Sequence, residues 1–382
     1  MSYRLANFSP QQFLKSYWQK KPAVFRQVFP GFEDPLDEND LAGLAQDPDA
    51  DSRIIQHHNG QWSVHHGPFD DFSEPCQGKW TLLVQAVDHF LEEGSSLMDC
   101  FGFIPYWRMD DLMVSFAVAG AGVGPHTDQY DVFLVQGKGS RRWQVGAPGN
   151  YPSLQPHPDL CQIAPFEPII DVELHPGDVL YVPPGWPHNG TAVSDCMTYS
   201  VGFRAPDQSQ LLQYLLDHVL ASPSHNLRYT DPDLCVAASP GAVTSQHLSA
   251  LTALLKSSME SRNWPNELLR CLSEQNLTID VPERLYTEQQ ILQLLEDGAH
   301  LQRLPGCRPL YAESKLEDTE RFTFYVDGES FSIPAILKST AIPVLEGAPV
   351  STHTLEQTVD KLDFLQLLCK LTNKGLWFFT DE

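Results

Sequence analysis

GVGPHTDQYDVFLVQG (122–137) and PGDVLYVPPGWPHNG (176–190) are the stretches from which the fold is read. In the first, His126 and Asp128 flank Thr127 ahead of an alternating apolar run. On an extended strand, residues i and i+2 point to one face, so His126 and Asp128 present an imidazole and a carboxylate together while Thr127 turns away. In the second, a turn at Gly177-Asp178 feeds an apolar strand into a proline-stiffened loop that delivers His188. Two imidazoles and one carboxylate on one side of an ion are the ligand set of a non-haem Fe(II) site. The opposite positions stay open for oxygen and a co-substrate.

A His-x-Asp pair alone carries little weight, because such pairs occur incidentally beside Gly-rich turns. The second motif changes the balance. Gly177, Pro183, Gly185 and His188 follow the spacing G-x5-P-x-G-x2-H, which resembles the second signature of cupin-type barrels. Ala192 stands where that signature usually ends in Asn. The other histidines compete poorly. His57-His58 and His65-His66 are adjacent pairs whose members face opposite ways on a strand, and His157 and His175 lie beside prolines in expected turns. GAGVGPH (120–126) is glycine-rich, but Pro125 and the strand after it deny it the helix N-terminus of a dinucleotide loop.

Around these motifs, short segments rich in β-branched and aromatic residues alternate with Gly/Pro turns from about Trp62 to Arg204. They are LMVSFAV (112–118), DVFLVQG (131–137), RRWQVG (141–146), IIDVEL (169–174), DVLYVPP (178–184) and CMTYSVGF (196–203). This texture predicts a sandwich or barrel rather than βαβ units. Upstream, Ser9 caps a helix with Pro10 at its first position, Gln12 completing a capping box and Pro22 beyond its end. Downstream, Asp207 and Gln210 make another capping box, and Leu211, Leu212, Leu215, Leu216, Val219 and Leu220 form one broad helical face. Two more leucine sets, at 248–255 and 268–272, extend this helical unit to about residue 276. The pattern fits either a two-layer helical subdomain or a dimerisation surface. The remainder mixes a helix ending at Gly298, a hairpin turning at Asp327-Gly328, a helix ending at Asn373-Lys374-Gly375 and a final apolar strand, LWFF (376–379). That combination is winged-helix-like.

The chain has 382 residues, room for two or three domains, and 42% hydrophobic residues. The stretch MSYRLANFSPQQF lacks the apolar h-region of a signal peptide, and no apolar run approaches the roughly 20 residues of a membrane span, so a cytoplasmic protein away from membranes is expected. The eight cysteines form no CxxC pair and read as free thiols of a reducing compartment. A net charge of −24 repels phosphate, so no direct sequence-specific nucleic acid contact is expected; it attracts a basic protein. The same acidity argues that the C-terminal part serves protein contact or packing rather than DNA.

The longer strings carry a resemblance. DDLMVSFAVAGAGVGPHTDQYDVFLVQGKGSRRWQV (110–145), PGDVLYVPPGWPH (176–188) and YSVGFRAP (199–206), with YWQKKPAVFR (17–26) and GLWFF (375–379), resemble the bacterial Jumonji C ribosomal oxygenases. The resemblance spans nearly the whole chain. It implies an α+β protein: a double-stranded β-helix (jelly-roll/cupin-like) catalytic domain at 1–206, a helical dimerisation domain at 207–276 and a winged-helix-like domain at 277–382. It also implies Fe(II), 2-oxoglutarate, a homodimer, and hydroxylation of an arginine side chain in a basic large-subunit ribosomal protein.

By the same resemblance His126, Asp128 and His188 are the iron ligands. Arg141 matches the basic residue that receives the far carboxylate of 2-oxoglutarate, a task suited to a bidentate guanidinium. Its neighbour Arg142 points the other way on a strand and reads as a solvated charge. Leu134 follows the parity of His126 and Asp128 and should line the co-substrate, unless it is plain core. Ser115, between Met113 and Ala117, either bonds the co-substrate carboxylate or is a satisfied small polar residue. Gln129, Tyr130 and Asp131 are candidate acceptors for a substrate guanidinium. Three other activities keep the motifs but change the chemistry: a lysine demethylase would release formaldehyde, a cupin enzyme without 2-oxoglutarate would not need Arg141, and a binding protein would consume no oxygen.

Overall fold

Segments of Val, Phe, Tyr and Thr broken by Gly and Pro become strands here because β-branched and aromatic side chains fit a pleated surface packed on both faces. The structure, a computed structural model, describes residues 3–221, 226–236, 239–275, 277–313 and 320–380. The chain forms two compact units, Met1–Ala205 with Leu304–Gly306, and Pro206–Arg303 with Cys307–Glu382. The domain boundary expected at 276 falls on a residue outside the described ones.

The first unit holds β1 (Ala23–Phe25), β2 (Ser52–His58), β3 (Gln61–His66), β4 (Lys79–Val84), β5 (Met109–Ala117), β6 (Asp131–Gln136) and β7 (Arg141–Gly146). It continues with β8 (Ser153–His157), β9 (Leu160–Ile163), β10 (Pro168–Leu174), β11 (Val179–Val182), β12 (His188–Ala192) and β13 (Cys196–Phe203). Its helices are α1 (Pro10–Ser16), α2 (Glu38–Leu44), α3 (Val87–Phe90) and α4 (Glu92–Asp99). One eight-stranded antiparallel sheet runs β1-β11-β6-β13-β5-β4-β2-β3, and a three-stranded sheet runs β10-β7-β12. This is the double-stranded β-helix expected from the two motifs.

Period-two patterning gives the large sheet two buried faces of different chemistry. On β13, Met197, Tyr199, Val201 and Phe203 point one way and Cys196, Thr198, Ser200 and Gly202 the other, with all of them buried. The register carries this division across the sheet: Ser115 of β5 faces Thr198 of β13, which faces Gln136 of β6. The apolar face packs on the N-terminal segment. Phe13 of α1 is 1% exposed, with its ring 4.8 Å from Tyr181 and 5.0 Å from Phe133. Removing such a ring costs about 3–5 kcal/mol in other cores. The polar, small-residue face is left for the interior between the sheets, where the site lies.

The second unit opens with α5 (Gln208–Ala221), α6 (Ser245–Met259) and α7 (Trp264–Leu272). The expected capping box at α5 is present, with reciprocal bonds of 2.9 Å between Asp207 and Gln210. There follow α8 (Glu288–Glu296), β14 (His300–Arg303), β15 (Leu310–Tyr311), the hairpin β16 (Arg321–Val326) and β17 (Glu329–Pro334), α9 (Lys338–Leu345), α10 (Thr352–Gln357), α11 (Lys361–Asn373) and β18 (Trp377–Thr380). Asp327 and Gly328 both take positive φ, as a type I′ turn requires. Helices around a small hairpin give the expected winged-helix-like architecture.

Candidate metal centre

The two motifs meet through their backbones. His126 and His188 exchange N–H···O bonds of 3.0 and 2.9 Å, an isolated bridge that prolongs the small sheet. The regular strand expected through His126 and Asp128 does not form; β6 begins only at Asp131. The reason lies partly in the other motif. Pro125 has no N–H to give, and the Asp128 carbonyl accepts instead from Gly185 at 2.7 Å. Gly185 sits at φ +75°, so the Pro-Gly turn of the second motif clamps the first. The side chains converge nonetheless: ligand atoms of His126, Asp128 and His188 all lie within 4.8 Å of one another. Among the described residues no other trio of His, Cys, Asp or Glu does so.

Hydrogen bonding sets which nitrogens face inward. Nδ1 of His126 lies 2.9 Å from the Gly124 carbonyl and Nδ1 of His188 lies 3.1 Å from the Trp186 carbonyl. A carbonyl only accepts, so each Nδ1 carries the hydrogen and each Nε2 turns a lone pair toward Asp128. Those Nε2 atoms are 3.8 Å (His126) and 3.4 Å (His188) from Asp128 Oδ2. Lone pairs facing a carboxylate at such distances call for a shared cation, a proton or a metal. Burial, helped by neighbouring His188 and opposed by Asp128, pulls His126 down to about 4. Burial works against the charge on Asp128, but contact with His188, the charges of His126 and His188, and the Tyr130 hydroxyl outweigh it and hold the carboxyl below its usual range. At neutral pH the site therefore offers a neutral His126 and an ionised Asp128, the states that bind a divalent ion.

Deeper in the same interior lies a buried cation. Along β7, Arg141, Trp143 and Val145 face Ala192, Gly190 and His188 of β12. Arg141 is 5% exposed; its Nη1 lies 3.4 Å from the Ser115 hydroxyl, and its guanidinium sits 5.7 Å from the centre of the Trp143 ring. Among the described residues its Nε and Nη2 have no hydrogen-bond partner, and neither does the Thr198 hydroxyl opposite Ser115. A buried guanidinium with idle donors costs several kcal/mol unless an anion reaches it, on the order of 3–5 for a broken buried pair. The donor set therefore fits a carboxylate. Leu134, 4% exposed, packs with Val132, Trp143 and Leu180 on the interior face.

Arg142 points outward and forms a bidentate pair with Asp171, both bonds 2.6 Å. Asp131 departs from expectation. It is fully buried on the opposite face and holds Gln19 (2.9 Å), Arg108 (3.2 Å) and Tyr181 (2.5 Å), so it is not open to a substrate guanidinium. Parity explains the correction: Asp131 shares the apolar face of Phe133 and Val135. His157 closes β8 instead of lying in a turn. Thr198, Trp143 and Gly190 were not singled out in the sequence; only the strand register brings them to the site. A Cβ on Gly190 would lie 2.7 Å from Trp143 ring atoms, so the glycine lets that ring lie flat.

The chain matches the JmjC domain over residues 96–211 and the ROXA-like winged helix over residues 267–378. It is 39% identical over 383 residues to the ribosomal protein uL16 3-hydroxylase of Escherichia coli (strain K12), covering 99% of this chain and 100% of that protein. A probable ribosomal oxygenase of Haemophilus influenzae is 32% identical, covering 88% of this chain and 85% of that one. The X-ray structure of E. coli YcfD superposes with a TM-score of 0.92 at 38% identity over 100% of both chains. YcfD in complex with cobalt and 2-oxoglutarate gives a TM-score of 0.87 with the same identity and coverage.

Proposed function

We infer the reaction of this chain from its membership: the chain belongs to the JmjC-domain ribosomal oxygenases with a ROXA-like winged helix. It is an Fe(II)- and 2-oxoglutarate-dependent oxygenase that hydroxylates a ribosomal protein, and we assign its target as C3 of an arginine side chain in a large-subunit protein. The observation that carries this reading is the His126–Asp128–His188 trio sharing one interior with the Arg141 guanidinium, whose Nε and Nη2 find no partner among the described residues.

Bound iron and 2-oxoglutarate supply the activation of dioxygen that hydroxylating an unactivated C–H bond needs. The side chains do the rest. His126 and His188 present Nε2, held in place by the Gly124 and Trp186 carbonyls, and Asp128 contributes the anionic ligand. Arg141 receives the far carboxylate of the co-substrate, and the Ser115 and Thr198 hydroxyls supply further donors. Leu134 and Trp143 keep water from the co-substrate chain, so charges in the pocket interact in a dry setting. At the mouth, Gln129 and the Tyr130 ring are offered to the substrate.

The charge of −24 favours encounter with a basic ribosomal protein and disfavours nucleic acid. No helix among the described residues is long and apolar enough to cross a membrane. Residues 207–276 are assigned as the homodimer surface. On α5, Leu212 and Leu216 are 54% and 49% exposed; on α6, Leu251 and Leu255 are 48% and 64% exposed. They line an apolar cleft of about 310 Å³. Monomers rarely leave such a patch uncovered. The part from 277 onward is assigned to protein contact.

The test is mass spectrometry of ribosomal proteins incubated with the wild type and with His126→Ala or Asp128→Ala. One oxygen atom gained on a single basic protein, dependent on Fe(II) and 2-oxoglutarate and lost in both variants, is expected. Formaldehyde release in place of that gain would instead make the chain a demethylase.

A further inference from the structure

An arginine of this chain already occupies the cradle at the mouth of the site. Arg204 follows Phe203, which pairs with Asp131 on β6 and Met109 on β5. It therefore lies at the end of the large sheet where Tyr130 and Asp110 also lie. Its guanidinium is 5.8 Å from the centre of the Tyr130 ring, and its Nε is 3.2 Å from Asp110 Oδ2. Its carbonyl accepts from Arg108 Nε at 3.0 Å, which anchors the backbone while the side chain stays 58% exposed. Tyr130 is also among the groups that hold the Asp128 carboxyl below its usual range, so the ring beside Arg204 neighbours a ligand of the candidate metal centre.

An aromatic face beside a carboxylate is the environment a guanidinium selects, through stacking and charge-assisted bonding. Resting on the arginine-hydroxylase reading above, we propose that Arg204 is an internal stand-in for the target arginine. It fills the Tyr130–Asp110 cradle until a protein substrate arrives, and the incoming guanidinium displaces it. Displacement is feasible because Arg204 is held by one exposed ion pair and one exposed ring contact, each weak. The entering side chain gains the same contacts and continues inward toward Asp128. Arg204 thus acts as a specificity residue: it raises the threshold for any cation that stacks and forks less well than an arginine, lysine above all.

The experiment uses the full chain loaded with manganese and 2-oxoglutarate for binding, and with iron for turnover. For Arg204→Ala, the KM for purified uL16 falls by about three- to tenfold, the factor expected from freeing one exposed ion pair and one cation–π contact. Its kcat moves less than twofold. Agmatine, a guanidinium on a four-carbon chain, binds Arg204→Ala tighter than wild type by a similar factor in calorimetry. Arg204→Lys, which keeps the charge but stacks and forks less well, falls between wild type and Arg204→Ala in KM, and Asp110→Asn weakens agmatine binding. An unchanged or raised KM together with unchanged agmatine affinity in Arg204→Ala overturns the proposal. If the wild type leaves uL16 unmodified, the hydroxylase reading fails, and the agmatine comparison still decides whether Arg204 fills a guanidinium cradle.

Discussion

Arg141→Met separates stability from function. The Arg141 side chain is buried; among the described residues Nε and Nη2 have no partner, and the Ser115 hydroxyl lies 3.4 Å from Nη1. Methionine keeps the length and apolar stem but removes the charge and the idle donors. Replacing a buried ion pair with apolar volume is neutral or stabilising by about 1–4 kcal/mol in other proteins, and replacing a charge with unsatisfied donors has the same sign. For a unit of this size each kcal/mol raises Tm by roughly 2–4 °C. Co-substrate binding moves the other way. Removing one partner of a buried guanidinium–carboxylate pair costs about 3–5 kcal/mol, or roughly two to three and a half powers of ten in affinity. Succinate formation against 2-oxoglutarate concentration reads the second effect, and calorimetric melting reads the first. At a 2-oxoglutarate concentration of about 100 Kd, wild type gains about 2.7 kcal/mol and the variant gains almost nothing at that same concentration. Arg141→Lys keeps a charge without the fork and falls between the two. An unchanged 2-oxoglutarate KM, or equal stabilisation of Arg141→Met by the co-substrate, would falsify the role given to this guanidinium.

Gly190→Ala drives a methyl into the Trp143 ring, from contacts of 2.7–2.9 Å, so a loss of about 1–3 kcal/mol in urea unfolding is expected, with reduced turnover; a neutral result would mean the ring is free to move. Asp178 is held below the usual carboxylate range although burial opposes its charge, because the Gln27 and His175 backbone N–H groups and Arg26 bond to it. A depressed folded pKa contributes stability above the unfolded value, lost as pH falls through the folded one, so Asp178→Asn should lower stability at neutral pH and flatten its decline below about pH 4. Unfolding midpoints that keep the wild-type slope from pH 5 to pH 2 would contradict this. Leu216→Glu with Leu255→Glu places charge on both walls of the exposed cleft between α5 and α6. If this cleft is the proposed homodimer surface, sedimentation shows half the wild-type mass with the metal site intact, and an unchanged mass overturns that assignment.

Much of the site was legible because its signals are local. His126, Asp128 and His188 sit in motifs whose turn residues have one backbone solution each, and the structure brings the three together. Alternation along LMVSFAV placed Ser115 on the interior face, and parity placed Leu134 there and Arg142 outside. Asp131 was misread because adjacency to the ligand triplet suggested accessibility, whereas its parity assigns it to the buried apolar face with Phe133 and Val135. The HxD strand was misjudged for a different reason: the residue that takes the Asp128 carbonyl, Gly185, lies in the other motif, and a hydrogen bond between distant segments leaves no local trace.

The linear order of residues was enough to determine two imidazoles and a carboxylate, delivered by strands with one apolar and one polar face; the Arg141 guanidinium was picked out by resemblance to a family. Those properties depend on side-chain type and on a period of two, both written in consecutive residues. Tertiary structure alone decided that Arg141 is a buried cation without an anion, that Thr198 faces Ser115, that Gly190 clears the Trp143 ring, and that Arg204 rests over Tyr130. Each of these is a relation between segments brought together by sheet register. A one-residue shift of register would send the same side chains to the other face, so these relations exist only once the strands have paired.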